Sequence, residues 1–242
     1  MEILVCIKQV PGSNKVEVDP VTGVLKRDGA DSKMNPYDLF ALECGLLLKE
    51  QYGGRVSVIT MGPPQAKAVI YEAFAMGADE GAIISDRSFG GADVLATSYT
   101  LSQGIKKFGK FDLIICGLQT TDGDTAQVGP QIAEHLGLPQ VTYVEDLKYD
   151  GKGKLEVRKA TEDGYQRVEV PMPCLLTAVV PVKEARYMSV PGIIEAYQKE
   201  TKVWSADNID VDEAKLGLKG SPTKVFKSFS KGAKAPGELH EL

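Results

Sequence analysis

Residues Leu118–Gln131 read LQTTDGDTAQVGPQ, a stretch rich in small and hydroxyl residues, with two aspartates and no cation. It follows the apolar run Leu113–Gly117 and leads into Ile132-Ala133-Glu134-His135-Leu136, so it joins a strand to a helix. In an open α/β sheet such a loop sits at the carboxyl end of a strand, where ligands bind. Gly123 lets backbone approach a ligand closely, and Thr125 offers a hydroxyl. The free N–H groups and dipole of a helix start favour a phosphate. The two aspartates would repel a phosphate aimed at them. They read better as turn and cap formers, and Asp124 with Gln127 fits an acid-x-x-Gln capping box. Pro130 lies inside a helix begun at Thr125, so either that helix kinks or its regular part starts at Pro130, after Gly129. Two readings of the pattern stand: a nucleotide phosphate site, and a capped helix start.

Other chemistries lack their residues. There is no G-x-x-x-x-G-K-[ST] phosphate loop and no G-x-G-x-x-G after the first strand. KQVPGSNK follows that strand instead of an S-G-G-x-D-type loop, which argues against a nucleotide-dependent ligase or pyrophosphatase. The chain has two histidines. His135 is placed near a helix C-terminus, where its charge would suit the dipole, and His240 is close to the chain end. No H-E-x-x-H, G-x-S-x-G or metal-spaced cluster occurs, so no catalytic side chain and no metal ligand is expected. Cys6, Cys44, Cys116 and Cys174 are scattered among apolar residues without a C-x-x-C pair, and read as small buried hydrophobes in a reducing compartment.

The elements that must position the loop follow from the alternation of apolar runs and helical patterns. Strands are expected at Ile3–Ile7, Arg55–Thr60, Ala82–Ser85 and Asp112–Gly117. Helices are expected from an Asn35 cap with Pro36 at the first position to about Lys49, at Gln65–Met76, at Ala92–Phe108, and after the loop to Gly137. The order predicts an α/β fold: a mostly parallel, doubly wound, Rossmann-like sheet with helices on both faces. A hairpin insertion is expected at about 15–29 around Asp19-Pro20 and Gly23, and an antiparallel addition at about 154–180. The nucleotide-binding domain then spans 1–182, a loop and helix follow at 183–199, and residues 200–242 form an extended C-terminal arm laid on a partner through Trp204 and Phe226. The chain has 242 residues and a net charge of −5, which argues against nucleic acid as the main partner. No stretch is apolar for the ~18 residues of a membrane span, and Met1–Cys6 begins directly as a strand; a cytoplasmic location without membrane insertion is expected.

The segment VRKATEDGYQRVEVPMPCLLT, Val157–Thr177, resembles the signature of the electron-transferring flavoprotein beta subunit. The start ILVCIKQVPG, MNPYD at Met34–Asp38, AMGAD at Ala75–Asp79 and ARYMSVPGI at Ala185–Ile193 resemble that family as well. The resemblance implies a heterodimer with a flavin-carrying alpha subunit. It implies an adenine nucleotide held at Cys6, Asn35, Pro36, Tyr37, Asp38 and Met61, and by the loop and helix start. Those are Leu118, Asp122, Gly123, Asp124, Thr125 and Ala126, then Gln127, Val128, Gly129, Pro130, Gln131 and Ile132. Some members of the family hold structural AMP there; electron-bifurcating members hold a second FAD that takes a hydride from NADH. Gly123, Thr125 and Ala126 resemble the bifurcating version, since small residues leave room for the rest of a flavin dinucleotide. The partners then implied are an acyl-CoA dehydrogenase-like flavoprotein, reached through the alpha-subunit FAD, and ferredoxin or flavodoxin, with NADH oxidation expected only within the complex. The stretch from Lys183 to Tyr197 resembles the family's recognition loop for the dehydrogenase, which implies partner contacts at Glu184, Arg186, Tyr187, Met188, Val190 and Ile193. A stand-alone adenine-nucleotide sensor of the universal-stress type shares the α/β plan, but it would need its own Gly-rich phosphate loop and would leave residues 150–242 without a purpose.

Overall fold

The computed structural model of the chain describes residues 1–12, 17–18, 25–26, 32–179 and 184–226. Chain order begins with β1 (Glu2–Cys6), β2 (Gln9–Pro11), β3 (Glu17–Val18), β4 (Leu25–Lys26) and β5 (Ser32–Met34). Then come α1 (Pro36–Tyr52), β6 (Arg55–Met61), α2 (Lys67–Met76), β7 (Glu80–Ile84), α3 (Val94–Phe108), β8 (Leu113–Gly117) and α4 (Val128–Leu136). The remainder is β9 (Gln140–Tyr149), β10 (Lys154–Thr161), β11 (Gly164–Pro171), β12 (Cys174–Ala178), α5 (Val190–Ala196) and β13 (Thr201–Trp204). A nine-stranded sheet runs in the order β11-β10-β9-β12-β8-β1-β6-β7-β13. The β9 to β13 stretch is parallel throughout, whereas β10 runs antiparallel to both its neighbours. The fold is the expected doubly wound, Rossmann-like α/β sheet.

Residue alternation along the strands builds two cores. On one face Ile3, Val5, Leu113 and Ile115 pack with Leu42 and Leu46 of α1, Ile70 and Phe74 of α2 and Ala196 of α5. On the other, Leu4, Ile59 and Ile114 pack with Leu101 and Ile105 of α3 and with Ile132 and Ala133 of α4. The central strands are apolar on both faces, as a sheet covered by helices requires. From β1 the chain moves outward through β6 to β7, and then recrosses to β8 on the other side of β1. The strand order therefore reverses between β1 and β8, and the switch point at their carboxyl ends is where an open α/β sheet forms its ligand crevice.

Several expectations change. The antiparallel addition at 154–180 holds for the β10–β11 hairpin, but β12 inserts parallel between β8 and β9. All five residues of β12 are buried, which suits an interior parallel strand better than an added edge. The arm expected from residue 200 opens instead with an edge strand: β13 pairs in register with β7, and Trp204 packs edge-on against Phe108 at 5.4 Å between ring centres. Its main-chain groups find partners on β7 that the polar sequence around it did not advertise. The insertion at 15–29 carries an antiparallel pair, Glu17 with Lys26 and Val18 with Leu25, while its turn around Asp19-Pro20 and Gly23 lies outside the described residues. So do Lys183, His240 and the arm beyond Phe226.

Ile132 is fully buried where α4 meets the sheet. Ile132→Ala is expected to lower stability by about 2–5 kcal/mol, read from urea unfolding, because both apolar burial and packing are lost there.

Candidate functional site

The crevice between β1 and β8 gathers the residues singled out in the sequence. Cys6 ends β1, Met61 ends β6, Asn35 to Asp38 open α1, and the loop from Leu118 leaves β8. Close approach depends on Gly117: a Cβ there would lie 2.3 Å from Asp38 Oδ1 and 2.7 Å from the Tyr37 carbonyl carbon. The start of α1 can therefore rest directly on the end of β8.

Asn35 was expected to cap α1, and its side chain does not. Its amide is fully buried and turned across the crevice. Asn35 Nδ2 donates to the Gln119 carbonyl at 2.8 Å, and the Thr121 N–H donates to Asn35 Oδ1 at 3.2 Å. Both polar ends are thus satisfied by the loop, which outweighs a local cap worth about 1 kcal/mol. Beside it the Lys8 N–H donates to Asp38 Oδ2 at 2.8 Å, and Lys8 Nζ donates to both oxygens of Asp122 at 2.7 and 2.8 Å. Partial burial raises the Asp122 carboxyl, but the Lys8 hydrogen bond and charge outweigh it and hold the group below its ordinary value. Burial pushes Asp38 up to about 7, against the hydrogen bonds from Asn35, Lys8 N–H and Gly117 N–H.

Within the loop, Thr120 closes the turn. Its carbonyl accepts from the Asp124 N–H at 2.8 Å and its hydroxyl from the Gly123 N–H at 3.3 Å. Asp124 and Ala126 adopt left-handed backbone, with φ of 53° and 55°. This geometry displaces the expected Asp124–Gln127 capping box: α4 begins at Val128, its cap position is Gln127, and no side chain caps it. Pro130 falls in the first turn, where a missing N–H is harmless, so no kink is needed. The first-turn N–H groups of Val128 and Gly129 have no partner within the helix and lie at the loop. Gly129 itself is buried, since a Cβ there would sit 2.7 Å from Thr177 Cγ2. The self-capped reading of this helix start is thus not met, and exposed Gly123 and Thr125 lie beside its uncapped end.

Comparisons with known proteins show the family. The family profile described as the electron transfer flavoprotein domain matches residues 22–209. The chain is 59% identical over 239 residues to the electron transfer flavoprotein subunit beta of Clostridium acetobutylicum, covering 99% of this chain and 92% of that one. The chain belongs to the electron transfer flavoprotein family. It is 52% identical over 240 residues to subunit CarD of the caffeyl-CoA reductase-Etf complex of Acetobacterium woodii, covering 99% and 91% of the two chains. It is 46% identical over 247 residues to the acryloyl-CoA reductase electron transfer subunit gamma of Anaerotignum propionicum, covering 99% and 92%. The first two of these relatives each match 99% of this chain, so the resemblance read from Val157–Thr177 extends to nearly its whole length.

Away from the crevice, Glu184–Ile193 lies along α1 and α2 rather than at the loop after β8. Arg186 is bound within the chain, to Glu43 at 2.8 and 2.9 Å and to Glu50 at 2.5 Å. Gly192 packs on the Ala75 carbonyl, and Ser189 caps α5. Tyr187 is 94% exposed and Val190 73%, with Met188 and Ile193 also exposed. The described cysteines are all free, and the Cys116 thiol, hydrogen-bonded to Cys6 and buried, is pushed well above its ordinary value, which leaves it unreactive. His135 sits in the last turn of α4 against Tyr99, as expected, but burial, then Lys106 and Lys215, lower its pKa and so disfavour the charge that would suit the dipole. Among the described residues no cluster could hold a metal, and no helix is long and apolar enough to cross a membrane. The residue missed from the sequence is Lys8; its only signal was a lone cation just past the first strand.

Asp38 titrates at about 7 when folded and near 3.8 when unfolded, so folding takes up a proton between those values. Its contribution to stability should decline as pH rises from about 4 to 7 and level off above. Urea unfolding of the chain and of Asp38→Asn should show their stability difference changing across that window; parallel curves would contradict it.

Proposed function

We propose that this chain is the nucleotide-binding beta subunit of an electron-bifurcating electron transfer flavoprotein, holding FAD in the crevice between β1 and β8. The observation that carries the reading is the uncapped start of α4 beside a loop in which small Gly123 and Thr125 are exposed among Thr121, Asp122 and Asp124. The N–H groups of Val128 and Gly129 would take a phosphate, and the small residues leave length along the loop for the remainder of a flavin dinucleotide. Asn35 and Thr120 hold that loop in place. Cys6, Pro36, Tyr37 and Met61, partly exposed around the crevice, would wall the adenine nucleotide.

FAD bound here would supply the redox chemistry, accepting a hydride from NADH and releasing electrons toward two acceptors. The chain's own share is to bind the nucleotide, orient it and exclude water. The acceptors in this reading are ferredoxin or flavodoxin and, through the FAD of an alpha subunit, an acyl-CoA dehydrogenase-like partner. Two relatives carry names that tie them to acyl-CoA reductases, caffeyl-CoA reductase and acryloyl-CoA reductase, which supports a partner of that class. Tyr187, Met188, Val190 and Ile193 would form the docking face for that partner, with Arg186 fixing the loop from beneath and Glu184 at its edge. Beyond β13, Ile209 and Leu216 are buried on this chain and Asp93 holds Ser221 and Thr223, so exposed Val225 and Phe226 would be the contacts with the alpha subunit. A cytoplasmic location fits these partners.

Extraction of the denatured heterodimer tests the reading. About two FAD and no AMP per heterodimer are expected; one FAD and one AMP would reduce the chain to the subunit of a single-flavin shuttle.

A further inference from the structure

Lys8 is not among the residues that the family resemblance assigns to the nucleotide, yet it holds the nucleotide loop. It lies two positions past the end of β1, and Asp122 lies five positions past the end of β8. Those strands flank the crevice, so the pair joins the two loops that form its mouth. The backbone of Lys8 is fixed on both sides: its N–H donates to Asp38 at 2.8 Å, and its carbonyl accepts from the Asn35 N–H at 2.9 Å. The ammonium is therefore presented from an anchored position, and it meets both carboxylate oxygens of Asp122.

The charges make this pairing consequential. The loop carries Asp122 and Asp124 and no cation of its own, and it adjoins a helix start suited to phosphate. Among the described residues Lys8 is the one cation paired with the loop. Without it, the Asp122 charge would be uncompensated in a loop that already carries Asp124. The Asp122 end of the loop would also lose its tether, leaving the Asn35 contacts at Gln119 and Thr121 to hold the turn alone.

We propose that Lys8 is a positioning residue, a latch that pins Asp122 across the crevice mouth and screens its charge from the phosphates of the bound nucleotide. The inference rests on the reading that a nucleotide occupies this crevice. The pair is partly exposed, so its effect is bounded by what such ion pairs contribute.

The test uses the heterodimer with its alpha subunit, stripped of nucleotide and titrated separately with AMP and with FAD by calorimetry. Lys8→Gln is expected to weaken whichever nucleotide binds the wild type by about fivefold, at an unchanged melting temperature. Lys8→Arg should bind within about twofold of wild type, because a guanidinium can also hold a carboxylate. Adding Asp122→Asn to Lys8→Gln should recover part of the loss, because the exposed charge is then gone. Unchanged affinity in Lys8→Gln, or a further additive loss in the double variant, overturns the latch. So does tighter binding in Asp122→Asn alone, which would mean that Lys8 serves the phosphate directly. A wild type that binds neither nucleotide overturns the latch together with the reading beneath it.

Discussion

The site depends on one buried amide. Asn35 has no exposure to water, so its donor and its acceptor both need partners inside the protein. Both partners lie on the loop after β8, more than eighty positions along the chain. That requirement ties the first turn of α1 to the far side of the crevice. Leaving either end unpaired would cost about 1–3 kcal/mol, which makes the loop's position a condition of folding rather than a consequence of ligand binding.

Tight approach around that amide follows from two glycines. Gly117 leaves room for Asp38 and the Tyr37 backbone, and Gly129 lets the start of α4 settle against Thr177. The helix start thus sits low against the sheet, with its free N–H groups turned to the loop. Asp38 shares the same compact corner, where burial keeps its carboxyl neutral at mildly acidic pH while Lys8 and Gly117 still donate to it. Small residues and buried hydrogen bonds work together here: the former permit the contact and the latter fix it.

The parallel core was legible because its determinants are local. Apolar runs such as Leu113–Cys116, and helix stops such as Gly77, are written within a few residues. What escaped depended on distant partners. Cys174–Ala178 is apolar but for Thr177, and such a run shows that a strand exists without showing its direction. Thr201–Trp204 becomes a strand only because β7 offers an open edge. Asn35 before Pro36 has the pattern of a cap, but the tertiary demand of Gln119 and Thr121 wins the side chain. Asp124 and Gln127 are spaced as a capping box, which the left-handed turns at Asp124 and Ala126 prevent. The crevice was therefore readable, since it follows from strand order, whereas the bonds that shape its rim were not.

The most direct measurement is amide hydrogen exchange on the heterodimer with and without added FAD. A nucleotide in the crevice between β1 and β8 should slow exchange at residues 6–8, 35–38 and 118–132 together, most strongly at Val128 and Gly129. Protection that left the 118–132 segment unchanged, and appeared instead at the opposite end of the sheet around Tyr52, Tyr149 and Met172, would contradict the account.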